Sequence, residues 1–353
     1  MRRGEGALSV WAAAACVAVI VYSSLQPFTG WTWPASPRSW WLDFDVSRRF
    51  TRSDLWLNVI AYVPLGATLA VVGARWLNRW RAVLMAFAAG LLLSLSMELA
   101  QVALPPRVAS LYDALFNGVG TLVGALVGAA VAPRLATLTA LRQRLLTPGA
   151  SADLQLVLLG LWLAAQINPA IPVFGAAFHP GAQAAYEPPI ILIEAVQTAS
   201  ALIGIGLFAD LMMRKRWLGG LALLTILALA LVLKWAAAEL LLKPHALALW
   251  LRPGHSLGLA LGAMLLTALF WLPRQWKSIV AGIALLTSVL VYALVPDVLF
   301  AEVPLSIFAL RFGHLLHLNG LTLAIAMIWP LLATFVLFWR FGTERSKRID
   351  GGR

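Results

Sequence analysis

The sequence predicts an all-α integral membrane protein of about ten transmembrane helices, and three observations carry that prediction. Of the 353 residues, 61% are hydrophobic and only 12% charged, against roughly 25% charged in an average soluble domain. Apolar runs close to the roughly 20 residues needed to cross about 30 Å of hydrocarbon recur along the whole chain, among them Ala7 to Leu25 and Ser278 to Val295. Most of the 27 Lys and Arg residues sit in small groups between alternate runs, as the positive-inside rule requires of a protein with both termini in the cytoplasm.

Apolar length and punctuation by Gly, Pro and charge place the spans at 7–25, 55–74, 82–104, 111–132, 154–172, 188–213, 217–242, 255–272, 278–296 and 319–339. Arg2 and Arg3 before the first run imitate a signal peptide. Tyr22 to Pro27 is a poor cleavage site, however, so the run reads as a retained signal anchor. Inside loops carry Arg75, Arg79 and Arg81; Arg134, Arg142 and Arg144; Arg214, Lys215 and Arg216; and Arg274 and Lys277, with Arg340 and Arg345 in the tail. Trp31, Trp33, Trp40 and Trp41 mark the first outer loop as an interfacial element, because indole rings prefer the headgroup region. The sole cysteine, Cys16, reads as a buried small apolar residue and allows no disulfide within the chain.

The net charge of +12 does not imply a nucleic-acid partner, since the basic residues form no continuous face. Phosphate-loop, dinucleotide, HExxH and GxSxG signatures are all missing, and no cofactor is expected. Similar endings of spans one, five and nine, with Gly120, Gly124 and Gly128 resembling Gly258 and Gly262, indicate a possible four-helix internal repeat.

Polar residues inside the spans concentrate at one end. Asp54 and Asn58 are four apart at the outer end of span two, with Pro64 and Gly66 deeper, where Pro64 should bend the helix. Glu98 and Gln101 share a face near the outer end of span three, and Arg107 lies in the short outer loop that follows. Asp113 and Asn117 open span four and lead into Gly120, Gly124 and Gly128, a smooth stripe for close helix approach. Topology gives all of these one membrane depth, so they can form one ligand-binding site. Intramembrane carboxylates cost a few kcal/mol or more unless paired, which makes function the default reading and Glu98 the candidate catalytic group. Interhelical hydrogen bonds, an ion pair of Arg107 with Asp113 or Glu98, and helix capping by Asp54 and Asp113 are the structural alternatives.

The pattern Asp54-x3-Asn58-x3-Tyr62-Val-Pro64-Leu-Gly66, then Ser94-x3-Glu98-x2-Gln101-x5-Arg107-x5-Asp113-x3-Asn117-x2-Gly120-x3-Gly124, resembles the VanZ-like family over residues 20–130. The resemblance implies a multi-pass protein of the bacterial cytoplasmic membrane, organised as a VanZ-like four-helix domain over 1–135 and a second half of about six helices over 136–353. It links the chain to glycopeptide (teicoplanin) resistance or to envelope polysaccharide assembly, and implies no established reaction. The expected partners are membrane lipids and an amphiphilic envelope ligand.

Three functions fit these residues. The first is binding of such an amphiphile; the second is an intramembrane enzyme, with Glu98 as general acid or base and Arg107 holding an anionic group. The third is an ion-coupled transporter in which Glu98 and Glu239 alternate, which the scarcity of inner acidic residues apart from Asp210 disfavours. His314 and His317, three apart before span ten, are metal candidates without an adjacent third ligand. Lys234 and Glu239, five apart, do not share a face, so Lys234 is expected to snorkel outward or pair elsewhere.

Overall fold

The computed structural model describes residues 7–33, 52–168, 187–241, 253–295 and 314–350, with the side chains of 52–54, 136, 292, 314–319 and 341–350 outside the description. The described residues are helical, apart from loops and a single bridge between Leu146 and Met213. The chain divides into two compact units, Met1–Arg142 and Gln143–Arg353. Seven stretches are long and apolar enough to cross a membrane: Ala7–Leu25, Leu55–Gly73, Arg79–Val102, Leu111–Arg134, Pro188–Met212, Arg216–Leu241 and Gly320–Arg340. The other three expected spans are also helical. Two of these helices, Ala150–Ala165 and Pro253–Leu269, are shorter, and the third, Arg274–Leu294, begins with Arg274 and Lys277. This is a multi-pass membrane protein.

In the first unit, α1 (Ala7–Leu25) packs mainly on α2 (Arg52–Gly73), where Ile20, Tyr62 and Leu65 form a small core. Cys16 flanks that core half-buried, more exposed than its expected interior place. Next come α3 (Arg79–Val102), capped by the Asn78 side chain accepting from Arg81 N at 3.0 Å, and α4 (Leu111–Val131), capped by Ser110. The close pair is α2 with α4, which run in the same direction. A Cβ placed on Gly120, Gly124 or Gly128 would lie under 3.0 Å from the carbonyl oxygen of Val59, Val63 or Ala67 respectively, and one on Gly66 would strike Thr121 O. The four-residue spacing on both helices makes each glycine a seat for one turn of its neighbour, and dispersion between touching backbones replaces the hydrophobic drive that lipid removes. Pro64 sits within α2 and cannot donate to Ile60; Thr68 Oγ1 donates to Pro64 O at 2.8 Å.

A helix the hydropathy pattern did not disclose, α5 (Leu135–Leu145), follows a 3-10 turn at Ala132–Arg134. The second unit then contains α6 (Ala150–Ala165), α7 (Pro188–Met212), α8 (Arg216–Leu241), α9 (Pro253–Leu269), α10 (Arg274–Leu294) and α11 (His314–Asp350). From Ala201 to Met212 every residue of α7 is buried, as a helix apolar on all sides must be when it forms the centre of a bundle. Its Phe208 meets Trp329 edge-on at 5.5 Å between centroids, and Trp329 donates its indole N–H to Leu158 O at 2.6 Å. α9 lies on α7 as α4 lies on α2: Gly254, Gly258 and Gly262 face Ile191, Ala195 and Ala199.

Where α7 ends and α10 begins, the end that the charge distribution assigns to the inside, two cations expected in solvated segments are interior. Lys277, 1% exposed, pairs with Asp210 at 2.5 Å. Arg340, 8% exposed, donates to Leu211 O at 2.7 Å and to Gln155 Oε1 at 3.3 Å. The apolar stretches around these residues concealed that each has a partner on another helix. Asp153, also buried there, adds a second inner acidic residue to Asp210.

Candidate functional site

The candidate site lies where α2 and α4 begin and α3 ends, the end that the charge distribution assigns to the outside. Each polar side chain is placed by a local feature of the chain. Asn58 is on the second turn of α2 and Asp113 in the first turn of α4; Asn58 Nδ2 donates to Asp113 Oδ1 at 2.8 Å. The glycine seats draw these helices close enough for two short side chains to meet. Asp113 N also donates to the Ser110 hydroxyl at 3.4 Å, so Ser110 caps the first turn of α4.

Glu98, 3% exposed near the end of α3, accepts from the backbone N–H of Ser110 through Oε2 at 2.7 Å. That N–H is an orphan donor of the α4 N-terminus, a natural seat for a carboxylate. One turn back on α3, Ser94 accepts from Asn117 Nδ2 at 2.9 Å, while Asn117 Oδ1 is buried with no partner among the described residues. One acceptor, the amide oxygen of Asn117, is therefore unspent in the interior between α3 and α4.

Gln101 and Arg107 point elsewhere. Gln101 Nε2 donates to Ser24 O at 3.0 Å, and Arg107 donates to Gln26 O at 2.9 Å and to Ser23 O. These carbonyls end α1, where four backbone acceptors lack helical donors. Together with Thr32 N donating to Ala103 O at 2.9 Å, the two side chains tie the end of α1 to the α3–α4 turn. Burial lowers the pKa of the half-buried Arg107 below its ordinary value, and the nearby Glu98 carboxylate opposes that shift. Asp54 lies in the first turn of α2, but its side chain falls outside the described residues, as do those of His314 and His317 and the whole of Trp40 and Trp41.

The structure thus brings Asn58, Glu98, Asp113 and Asn117 to one end of three helices and turns Gln101 and Arg107 toward α1. Ser94, which the family-like pattern included, and Ser110 complete the set; Ser110, a small hydroxyl residue in a loop, carried no pattern that would single it out. Residues 9–132 match the VanZ/LLP1 family. The matched segment begins in α1 and ends just after α4, so it contains every candidate residue of this site, while the second unit falls outside it. No curated protein and no solved structure matches the chain.

The second unit holds polar groups of its own. Glu194 and His255 stand 4.0 Å apart, with His255 Nδ1 3.0 Å from Thr198 Oγ1, and Gln197 Nε2 donates to Ser288 Oγ at 2.9 Å. Glu239 is exposed on α8, unlike the buried Glu98 to which its sequence context bears a likeness. Among the described residues, no group of three or more His, Cys, Asp or Glu is arranged to hold a metal.

Proposed function

We propose that the VanZ/LLP1 segment binds the head of an amphiphilic envelope molecule at the cluster of Asn58, Glu98, Asp113 and Asn117, in the bacterial cytoplasmic membrane. The observation that carries this reading is a buried acceptor without a partner among the described residues, Asn117 Oδ1, on the helix whose N-terminus holds the Glu98 carboxylate. A buried acceptor left without a donor costs about 1–3 kcal/mol, more for a charged one, so a ligand bringing donors recovers that energy. The complementary head is rich in O–H and N–H groups, as in a lipid-linked glycan precursor or a lipoglycopeptide such as teicoplanin. Beside the cluster, Trp56, Ile60, Leu115 and Val119 are exposed on α2 and α4 and offer apolar surface to an acyl or prenyl chain.

Arg107 contributes differently from the anion-holding role considered first: its donors fix the end of α1 against the site. A second reading, turnover of the bound amphiphile with Glu98 as general acid or base, is favoured by the burial of that carboxylate. A link to glycopeptide resistance or polysaccharide assembly follows from the same reading, through sequestration or handling of the amphiphile. The test is thermal stabilisation of the purified protein in detergent by lipid-linked glycan precursors and by teicoplanin. Wild type should be stabilised by at least one of them, and Glu98→Gln and Asn117→Leu should lose the response. Stabilisation that persists in both variants would remove the site from this cluster.

A further inference from the structure

The second unit buries an ammonium that has no acidic partner among its described residues. Lys234 interrupts the apolar run of α8 and is 4% exposed. Its Nζ donates to Asn168 O at 3.1 Å, just beyond the end of α6. Asn168, 2% exposed, donates its own Nδ2 to the hydroxyl of Thr322 on α11 at 2.9 Å, and Thr322 is equally buried. Lys234, Asn168 and Thr322, from three helices, therefore meet at the ends of α6 and α8 and the start of α11. The described carboxylates buried in this unit lie elsewhere: Asp210 pairs with Lys277, Glu194 faces His255, and Asp153 is in the first turn of α6, at the end away from Asn168.

An ammonium has three donors and no acceptor, so the bond to Asn168 O leaves two donors unspent among the described residues. Burial of an unpaired charge costs several kcal/mol, and a single carbonyl dipole offsets part of it. An anion completes the balance. Lys is a point-charge binder of phosphate. We infer that Lys234, held in place by Asn168, which is in turn bonded to Thr322, forms an anion site in the second unit that takes a phosphate group. The site is separate from the acceptor-rich cluster of the first unit, which suits donors, and the two stand or fall independently.

The measurement is melting of the purified, delipidated full chain against inorganic phosphate, a short-chain phosphatidic acid and the matching uncharged diacylglycerol, for wild type and Lys234→Met. Wild type is expected to be stabilised by a phosphate-bearing compound and not by diacylglycerol. Response to inorganic phosphate alone identifies a free anion as sufficient, and response confined to phosphatidic acid identifies a lipid headgroup. In Lys234→Met the apparent affinity falls at least about tenfold, the loss expected for one charge-assisted hydrogen bond. Without anion this variant melts no lower than wild type, because an apolar near-isostere replaces an uncompensated charge. Equal stabilisation of the two proteins, no stabilisation of wild type, or an anion-free variant melting well below wild type would each overturn the proposal. The last result would make the ammonium a structural donor to Asn168.

Discussion

Glu98 and Ser110 are joined by a 2.7 Å hydrogen bond from the Ser110 backbone N–H to one carboxylate oxygen, across the turn between α3 and α4. The bond fixes the acid through one of its two oxygens. Ser110 also caps α4, so one residue sets both the start of that helix and the position of the acid.

The glycine seats make a steric prediction. Gly124→Ala places a methyl under 3.0 Å from Val63 O and should destabilise the protein by about 1–3 kcal/mol. Gly160→Ala, where nothing lies within 4 Å, should be neutral or stabilise by up to about 1 kcal/mol. Melting of both variants in the same detergent checks the pair. Equal effects would mean that α2 and α4 are not in backbone contact.

The Asn58–Asp113 bond should couple the two positions. Asn58→Ala and Asp113→Ala each remove one partner of a half-buried interhelical bond, at a cost of about 1–3 kcal/mol. The double variant should cost less than the sum of the singles, by an interaction energy of about 0.5–3 kcal/mol. Strict additivity in a thermal double-mutant cycle would exclude the bond.

Arg107 should govern the end of α1. Arg107→Gln removes the guanidinium that donates to Ser23 O and Gln26 O. Hydrogen exchange in peptides covering 23–28 should quicken, while α4 keeps its protection. Unchanged exchange at 23–28 would show that those carbonyls are satisfied without Arg107.

The inner ion pair makes the fourth prediction. Lys277→Met or Asp210→Leu alone leaves an unpaired buried charge and should destabilise by about 3–5 kcal/mol. The double variant should recover most of that loss. A double variant as unstable as the worse single would show that the pair itself is required for folding.

How much of this was legible in the sequence follows from the range of each interaction. Spans were readable because membrane crossing imposes apolar length locally, and ten predicted spans each found a helix. The roles of Gly120, Gly124 and Gly128 were readable because a four-residue spacing is a helix face. The meeting of Asn58 and Asp113 followed from shared depth alone. Partners of Arg107 and Gln101 were not readable, since they are backbone carbonyls about 80 residues away, which leave no side-chain pattern. Lys277 and Asp210 are 67 residues apart, and a basic residue after a span end reads as a topology marker. Lys234 was expected to snorkel or pair elsewhere; it turns inward because Asn168 offers a carbonyl. α5 escaped because it is short and only weakly apolar.

The central claim is that the outer cluster of the VanZ/LLP1 segment receives an amphiphile, and photo-crosslinking tests it most directly. A lipid-linked glycan precursor carrying a diazirine in its chain would be irradiated with the purified protein, and labelled peptides identified for wild type and Glu98→Gln. The account predicts labelling concentrated on residues 56–60 and 111–127 in wild type, competed by unlabelled precursor and lost in Glu98→Gln. Labelling spread evenly over the lipid-facing helices, or unchanged in Glu98→Gln, would contradict it.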